Sequence, residues 1–216
     1  MSSTLARAES ADTDWIAELI GAAFCHLGPT QWLVPDPARR AGILPRTFAI
    51  YVEHAMAHGE VHVTTDRSAA AVWVPRGWAP LPPPADYDRR LADVCGEWTD
   101  RFRQLDELFE KHTPTTAHHH LAFLAVRRDR QGAGIGSSLL SHHHARLDRE
   151  GLPAFLEASS PRARSLYLRH GYRDLGEPYA VGNGSLFWPM WREPAPGPAS
   201  SGLRSGASGA SANGQA

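Results

Sequence analysis

The stretch LAVRRDRQGAGIGSSLL, from Leu124 to Leu140, sets Gly132, Gly134 and Gly136 at alternate positions between an apolar run and a helix-period pattern. Backbone N–H groups at a helix N-terminus form an anion site, and the helix dipole adds to it. Glycines there let a phosphate approach with no Cβ in the way. Phosphate binding is thus the chemistry this spacing suggests, and three ligands compete for it. A nucleotide-triphosphate loop needs G-x-x-x-x-G-K-[ST], and neither lysine nor threonine stands here. A dinucleotide fingerprint needs G-x-G-x-x-G with an acid about 20 residues on. Glu157 ends the next strand, but the third glycine position is Ser137, and too little chain follows for a doubly wound sheet. The pyrophosphate of coenzyme A is the third candidate, beside a plain glycine-rich turn.

The histidines are the other conspicuous chemistry. There are 12, with triplets at His118 to His120 and His142 to His144. In a strand, His118 and His120 share a face and His119 takes the other. In a helix, neighbours fan out by about 100°. Neither triplet can close on one ion, so no metal is expected. Cys25 and Cys95 stand far apart with no CxxC pattern, so neither a disulfide framework nor a thiolate site is expected.

These residues need a scaffold. The chain has 216 residues, 42% of them hydrophobic, which suits one domain over residues 1–193. Lys and Arg total 22 against 23 Asp and Glu, so no nucleic-acid partner is expected. No apolar leader or membrane-length run is visible, and the expected location is the cytoplasm.

LARAESADTDWIAELIGAAF reads as a short strand, a turn and a helix capped by Asp12 or Thr13, with Trp15, Ile16, Leu19, Ile20 and Ala23 as its stripe. CHLGPTQWLVPDPARR, broken by prolines, reads as irregular. Ile43 to His58 is helical and Gly59 stops it. EVHVTTD and SAAAVWVP are strands joined near Asp66 and Arg67. After a proline-rich connector, Leu91, Val94, Trp98, Phe102, Leu105 and Phe109 predict one long amphipathic helix from Asp86 to Lys111. HHHLAFLAV is a strand, Gly134 to Glu150 a helix, PAFLEA a strand, and PRARSLYLRH a short helix ended by Gly171. YRDLGEPYAV and GSLFWPMW are two closing strands. From Pro194 to Ala216 the chain is nearly all Gly, Ser, Pro and Ala, and disorder is expected.

The segment LAVRRDRQGAGIGSSLL closely resembles the signature of the GNAT superfamily of N-acetyltransferases. That signature is a strand, then Gln/Arg-x-x-Gly-x-Gly/Ala, then a helix; Gln131, Gly134 and Gly136 fill its fixed positions. LEASSPRARSLYLRHGY resembles the second half of the family's site, where a helix carries a tyrosine ahead of Gly-Phe or Gly-Tyr. Tyr167 and HGY match, while Ser160 stands where the family often has asparagine. Within the superfamily, PAFLEASSPR…LYLRHGY is most similar to the puromycin N-acetyltransferase group.

The resemblance implies an α/β (α+β) GNAT fold. Its central mixed, mostly antiparallel sheet of six to seven strands would be splayed at the cofactor site and flanked by helices. It implies acetyl-CoA as donor, held by Leu124, Ala125, Val126, Gln131, Gly132, Ala133, Gly134, Ile135, Gly136, Ser137 and Ser160. Leu124 would offer its backbone N–H to the thioester carbonyl. Arg127, Arg128 and Arg130 would assist at the phosphates. Tyr167 would protonate the leaving thiolate, its ordinary pKa of about 10 suiting that group. Glu157 is the candidate base, with His118 and His120 beside it. Read from the residues themselves, Trp32, Trp73 and Trp78 and the long helix are near enough in order to wall an acceptor pocket, and an apolar, aromatic wall suits a small-molecule amine. The expected assembly is a monomer or homodimer. A protein or peptide acetyltransferase, which needs an open groove, and a non-catalytic acyl-CoA sensor, which would lack Tyr167, are the alternatives.

Overall fold

A computed structural model describes residues 4–195. Apart from Pro194 and Ala195, the predicted disordered tail lies outside the described residues.

The fold follows the predicted alternation, with three corrections. Helix α1 (Thr13–Phe24) buries Ile16, Leu19, Ile20 and Ala23. The segment read as irregular forms α2 (Gly28–Leu33) and the start of α3 (Pro37–His58). Pro29 and Pro37 stand in first turns, where the missing N–H costs nothing, and Asp36 caps α3 by accepting from Ala38 N at 2.9 Å. The predicted long helix is two, α4 (Tyr87–Cys95) and α5 (Thr99–His112), separated by a short 3₁₀ turn. Gly96, at φ +54°, breaks it while the apolar period runs on, so Leu91, Phe102 and Leu105 still enter one core.

The sheet has eight strands rather than six or seven, because Gly176 and Pro178 split YRDLGEPYAV into β6 (Arg173–Asp174) and β7 (Tyr179–Ala180). Both pair with β8 (Leu186–Arg192). The main order is β1 (Leu5–Arg7), β2 (Glu60–Thr64), β3 (Ala69–Arg76), β4 (His118–Val126), β5 (Ala154–Ala158), β8, β6. Every pairing is antiparallel except β4 with β5.

Two cores sandwich the sheet. On one face α1, α3, α4 and α5 pack against Val61, Val63, Ala70, Val72 and Ala125. On the other, α6 (Ile135–Glu150) and α7 (Pro161–Arg169) pack against Ala69, Ala71, Trp73, Leu121, Ala154 and Leu156. This split decides which side chains can share a site.

Candidate active site

Strand β4 shifts register against β3, with Val72 opposite Phe123 and Trp73 opposite Leu121. Ala122 is therefore a bulge residue, which bends the strand. Its parallel pairing with β5 is limited to His119 with Ala154 and His120 with Phe155. Beyond these pairs β4 runs on to Val126 and β5 to Ala158 with no ladder between them. The sheet is thus splayed, and residues 121–126 present a strand edge with free backbone groups to the gap.

The glycine loop stands at the end of that edge. Gly132 and Gly134 have φ of +84° and +80°, which only glycine adopts without strain, and a Cβ on either would meet nothing within 4 Å. Gly134 precedes α6, and no side chain caps that helix. The N–H groups of Ile135, Gly136 and Ser137 are left for an anion in the open space above the loop. Gln131 does not reach out: its Nε2 donates to the Val126 carbonyl at 3.0 Å and closes the loop. Arg127 is tied to Asp129 at 2.6 Å and Arg130 to Asp66 at 3.4 Å. Arg128 forms no ion pair among the described residues and stays exposed. An uncapped helix start, room over two glycines and an unpaired strand edge together fit a pyrophosphate with an extended amide-bearing arm. Acetyl-CoA has both.

Tyr167 follows on α7, whose Ser160 accepts from Ala163 N at 3.2 Å as its cap. Ser160's oxygen is thereby partly engaged, while its residue still lines a cleft of about 300 Å³ at the end of β5, with Leu27, Pro29, Ser159 and Trp188. Tyr167 is buried, its ring against Tyr172 at 5.8 Å. Burial raises its pKa, so the phenol is protonated at neutral pH. Its hydroxyl bonds to no other described residue, whereas that of Tyr172 meets His144 at 3.0 Å.

Strand alternation sends His118, His120, Phe155 and Glu157 to the sheet face away from α6. There His120 Nε2 donates to Glu157 Oε2 at 2.9 Å, with side chains 12% and 5% exposed. Three polar atoms around this pair are buried without a partner: Glu157 Oε1, His118 Nε2 and the Tyr179 hydroxyl. Burial and the charge of Glu157 both raise the Tyr179 pKa, which places the phenol within electrostatic reach of the carboxylate. His118 is pushed down to about 4, chiefly by burial. Tyr179 stacks on His112 at 3.9 Å and on Phe187 at 5.7 Å, and Phe187 meets Phe109 at 5.1 Å. Unpartnered buried polar atoms are costly unless a ligand meets them, so this aromatic corner is the candidate acceptor site.

Of the predicted residues, the structure brings Glu157, His118 and His120 together and sets Gly132 to Ser137 at one helix start. Trp73 is a correction. It is fully buried in the opposite core, stacked on His143 at 4.1 Å, and has no surface for a substrate. Trp78 also leaves the acceptor side, since its ring lies 5.5 Å from that of His119, on the α6 face. Trp32 stays on the acceptor side, packed over Gly182. Tyr179 and His112 were missed: a tyrosine in a two-residue strand and a helix-end histidine carry no periodic signal.

Residues 112–193 match the model of the acetyltransferase (GNAT) domain. Over most of its length, the chain is similar to the solved structure of a histone acetyltransferase HPA2 and related acetyltransferase from Corynebacterium glutamicum. The identity is 29%, over 90% of this chain and 98% of that one, with a TM-score of 0.68. Arylalkylamine N-acetyltransferase 2 from Aedes aegypti is 14% identical over 90% of this chain and 100% of its own, with a TM-score of 0.56. An agmatine N-acetyltransferase, also 14% identical, covers 88% of this chain and 98% of its own at a TM-score of 0.61. At such identities these last two share the fold. No helix among the described residues is long and apolar enough to cross a membrane.

Proposed function

We propose, on the premise that this chain carries a GNAT acetyltransferase domain and is an N-acetyltransferase, that it moves an acetyl group from acetyl-CoA to the primary amine of a small molecule with an apolar or aromatic body. The observation that carries this reading is the buried Glu157–His120 pair with an unpartnered Glu157 oxygen inside an aromatic corner. A buried, enclosed acid suits one amine on a compact body better than a peptide, which needs an open groove. An amine-bearing natural product such as an antibiotic is the subclass that the resemblance adds.

Bound in the gap, acetyl-CoA supplies the thioester carbonyl that the amine attacks. The α6 N-terminus and the loop from Gln131 to Ser137 hold its phosphates, and the edge of Leu124, Ala125 and Val126 takes its arm. The Leu124 N–H polarises the carbonyl. Glu157 Oε1 receives the ammonium of the acceptor and accepts its proton, while His120 fixes the carboxylate through Oε2. His118 and Tyr179 orient the amine with their free polar atoms. Tyr167, protonated and unpartnered, donates a proton to the departing sulfur.

Thiol release with acetyl-CoA tests this against a panel of arylalkylamines, agmatine and short peptides. Arylalkylamines should give the highest kcat/KM. Turnover of peptides alone would replace this reading with the peptide enzyme, and acetyl-CoA binding without turnover of any amine would replace it with a sensor.

A further inference from the structure

Each histidine triplet, taken alone, cannot surround an ion. The fold sets His143, one member of the second triplet, beside two side chains of β2. On the α6 face of the sheet, far side from Glu157, β2 presents Glu60 and His62, and α6 presents His143. One oxygen or nitrogen of each of these three residues lies within 4.8 Å of the others. His143 Nδ1 is 3.2 Å from His62 Nε2, and His62 Nε2 is 3.4 Å from Glu60 Oε2.

We propose that Glu60, His62 and His143 form a tetrahedral Zn²⁺ site, closed by one water, that fastens α6 to β2.

The distances carry the argument. A tetrahedron's edge is about 1.63 times its bond, so zinc bonds of about 2.0–2.1 Å set ligand atoms about 3.3–3.4 Å apart. The two short separations match that edge, and the third lies within 4.8 Å. Hydrogen bonding accounts for the cluster less well. His62 Nε2 is approached by His143 Nδ1 and Glu60 Oε2 at once, yet one ring nitrogen carries either one proton or one lone pair. One proton on His62 Nε2 could serve Glu60 Oε2 and the His143 Nδ1 lone pair only as a divided bond, whereas a cation between the three meets each along its own lone pair.

The far sides of His143 and Glu60 are held as those of metal ligands are. His143 Nε2 meets His119 Nδ1 at 3.3 Å, Arg146 holds Glu60 Oε1 at 2.6 Å, and Trp73 stacks on His143 with an interplanar angle of 13°.

Cobalt(II), which reports tetrahedral geometry by its strong visible absorption, is the probe, added to the untagged full-length chain after EDTA treatment and dialysis. One equivalent should bind with the tetrahedral spectrum, and Zn²⁺ should displace it and raise the Tm by several degrees. His62→Gln should abolish uptake, and Glu60→Gln should weaken it at least tenfold. Glu60 is partly exposed, so the second variant keeps the test usable if the first does not fold. His142→Ala should change nothing. No uptake, the pale spectrum of an octahedral ion, or uptake that survives His62→Gln but is lost in His142→Ala would overturn the site.

Discussion

Glu157 Oε2 and His120 Nε2 meet at 2.9 Å, joining the last paired residue of β4 to a β5 residue two positions beyond that rung. The pairing bridges the two strands at the point where their ladder stops. One carboxylate oxygen is thereby fixed, and the other is left buried and free. On the proposed function, this is where the amine would meet a thioester lying along β4.

Glu157→Gln should therefore lower kcat/KM for the acceptor by on the order of 10²–10⁴, the range of a positioned general base. The amide still occupies the place beside His120, so the fold and the Kd for acetyl-CoA should hold. Activity should recover in part as pH rises toward the pKa of the free amine. Steady-state kinetics from pH 7 to 10 check this, and a loss under threefold would move the base elsewhere.

Gly134→Asp puts a carboxylate and a disfavoured φ of +80° at the head of α6. Calorimetry should show acetyl-CoA affinity down by more than about tenfold, which is 1.4 kcal/mol or more. Circular dichroism should show the helices retained. Unchanged affinity in a folded variant would remove the phosphates from this loop.

The contrast between Gly134 and Trp73 shows what was legible in the sequence. The glycine loop, β4, α6 and β5 follow one another without interruption, so local period and turn chemistry suffice to read them. Trp73 was assigned to the acceptor wall by its nearness in order. Alternation along β3 sends its side chain to the α6 face instead, and which face meets which helix is a tertiary fact. The long helix failed for a related reason. Leu91 to Phe109 keep one apolar period across Gly96, and periodicity records the buried stripe but not the break. Tyr179 came to the site through pairing with β8, which no local pattern carries.

His118 links the pocket to acid stability. Its ring lies between Phe155 and Trp191, at 5.4 and 5.6 Å, and its Nδ1 is 2.6 Å from the Thr116 carbonyl oxygen. Burial pushes its pKa down to about 4, the nearby His120, Arg76 and His119 act the same way, and the Thr116 carbonyl opposes them. In the unfolded chain the imidazole titrates at about 6.5. Below that pH the unfolded state binds a proton that the folded state refuses. Stability is intact above about 6.5, falls as pH drops toward about 4, and then levels off, by on the order of 3 kcal/mol from this group. Urea unfolding at several pH values measures the slope. His118→Asn should flatten it, and an unchanged slope would place the acid sensitivity in other groups.

Tyr167→Phe is the sharpest test of the chemistry. The hydroxyl bonds to no other described residue, so its removal breaks nothing in the resting fold, and the phenyl ring keeps its contact with Tyr172. The Tm should move little. On the proposed function the phosphates and the arm are held by α6 and β4, so acetyl-CoA affinity should stay within a few-fold. The departing sulfur, however, loses the acid that burial keeps protonated. A positioned acid contributes on the order of 10²–10⁴ in rate. The expected result is a kcat lowered by that order with KM for acetyl-CoA nearly constant. Single-turnover measurements would show that the chemical step itself has slowed. A fall of less than about threefold with chemistry rate-limiting would make Tyr167 a packing residue of the second core, with the thiolate leaving unassisted.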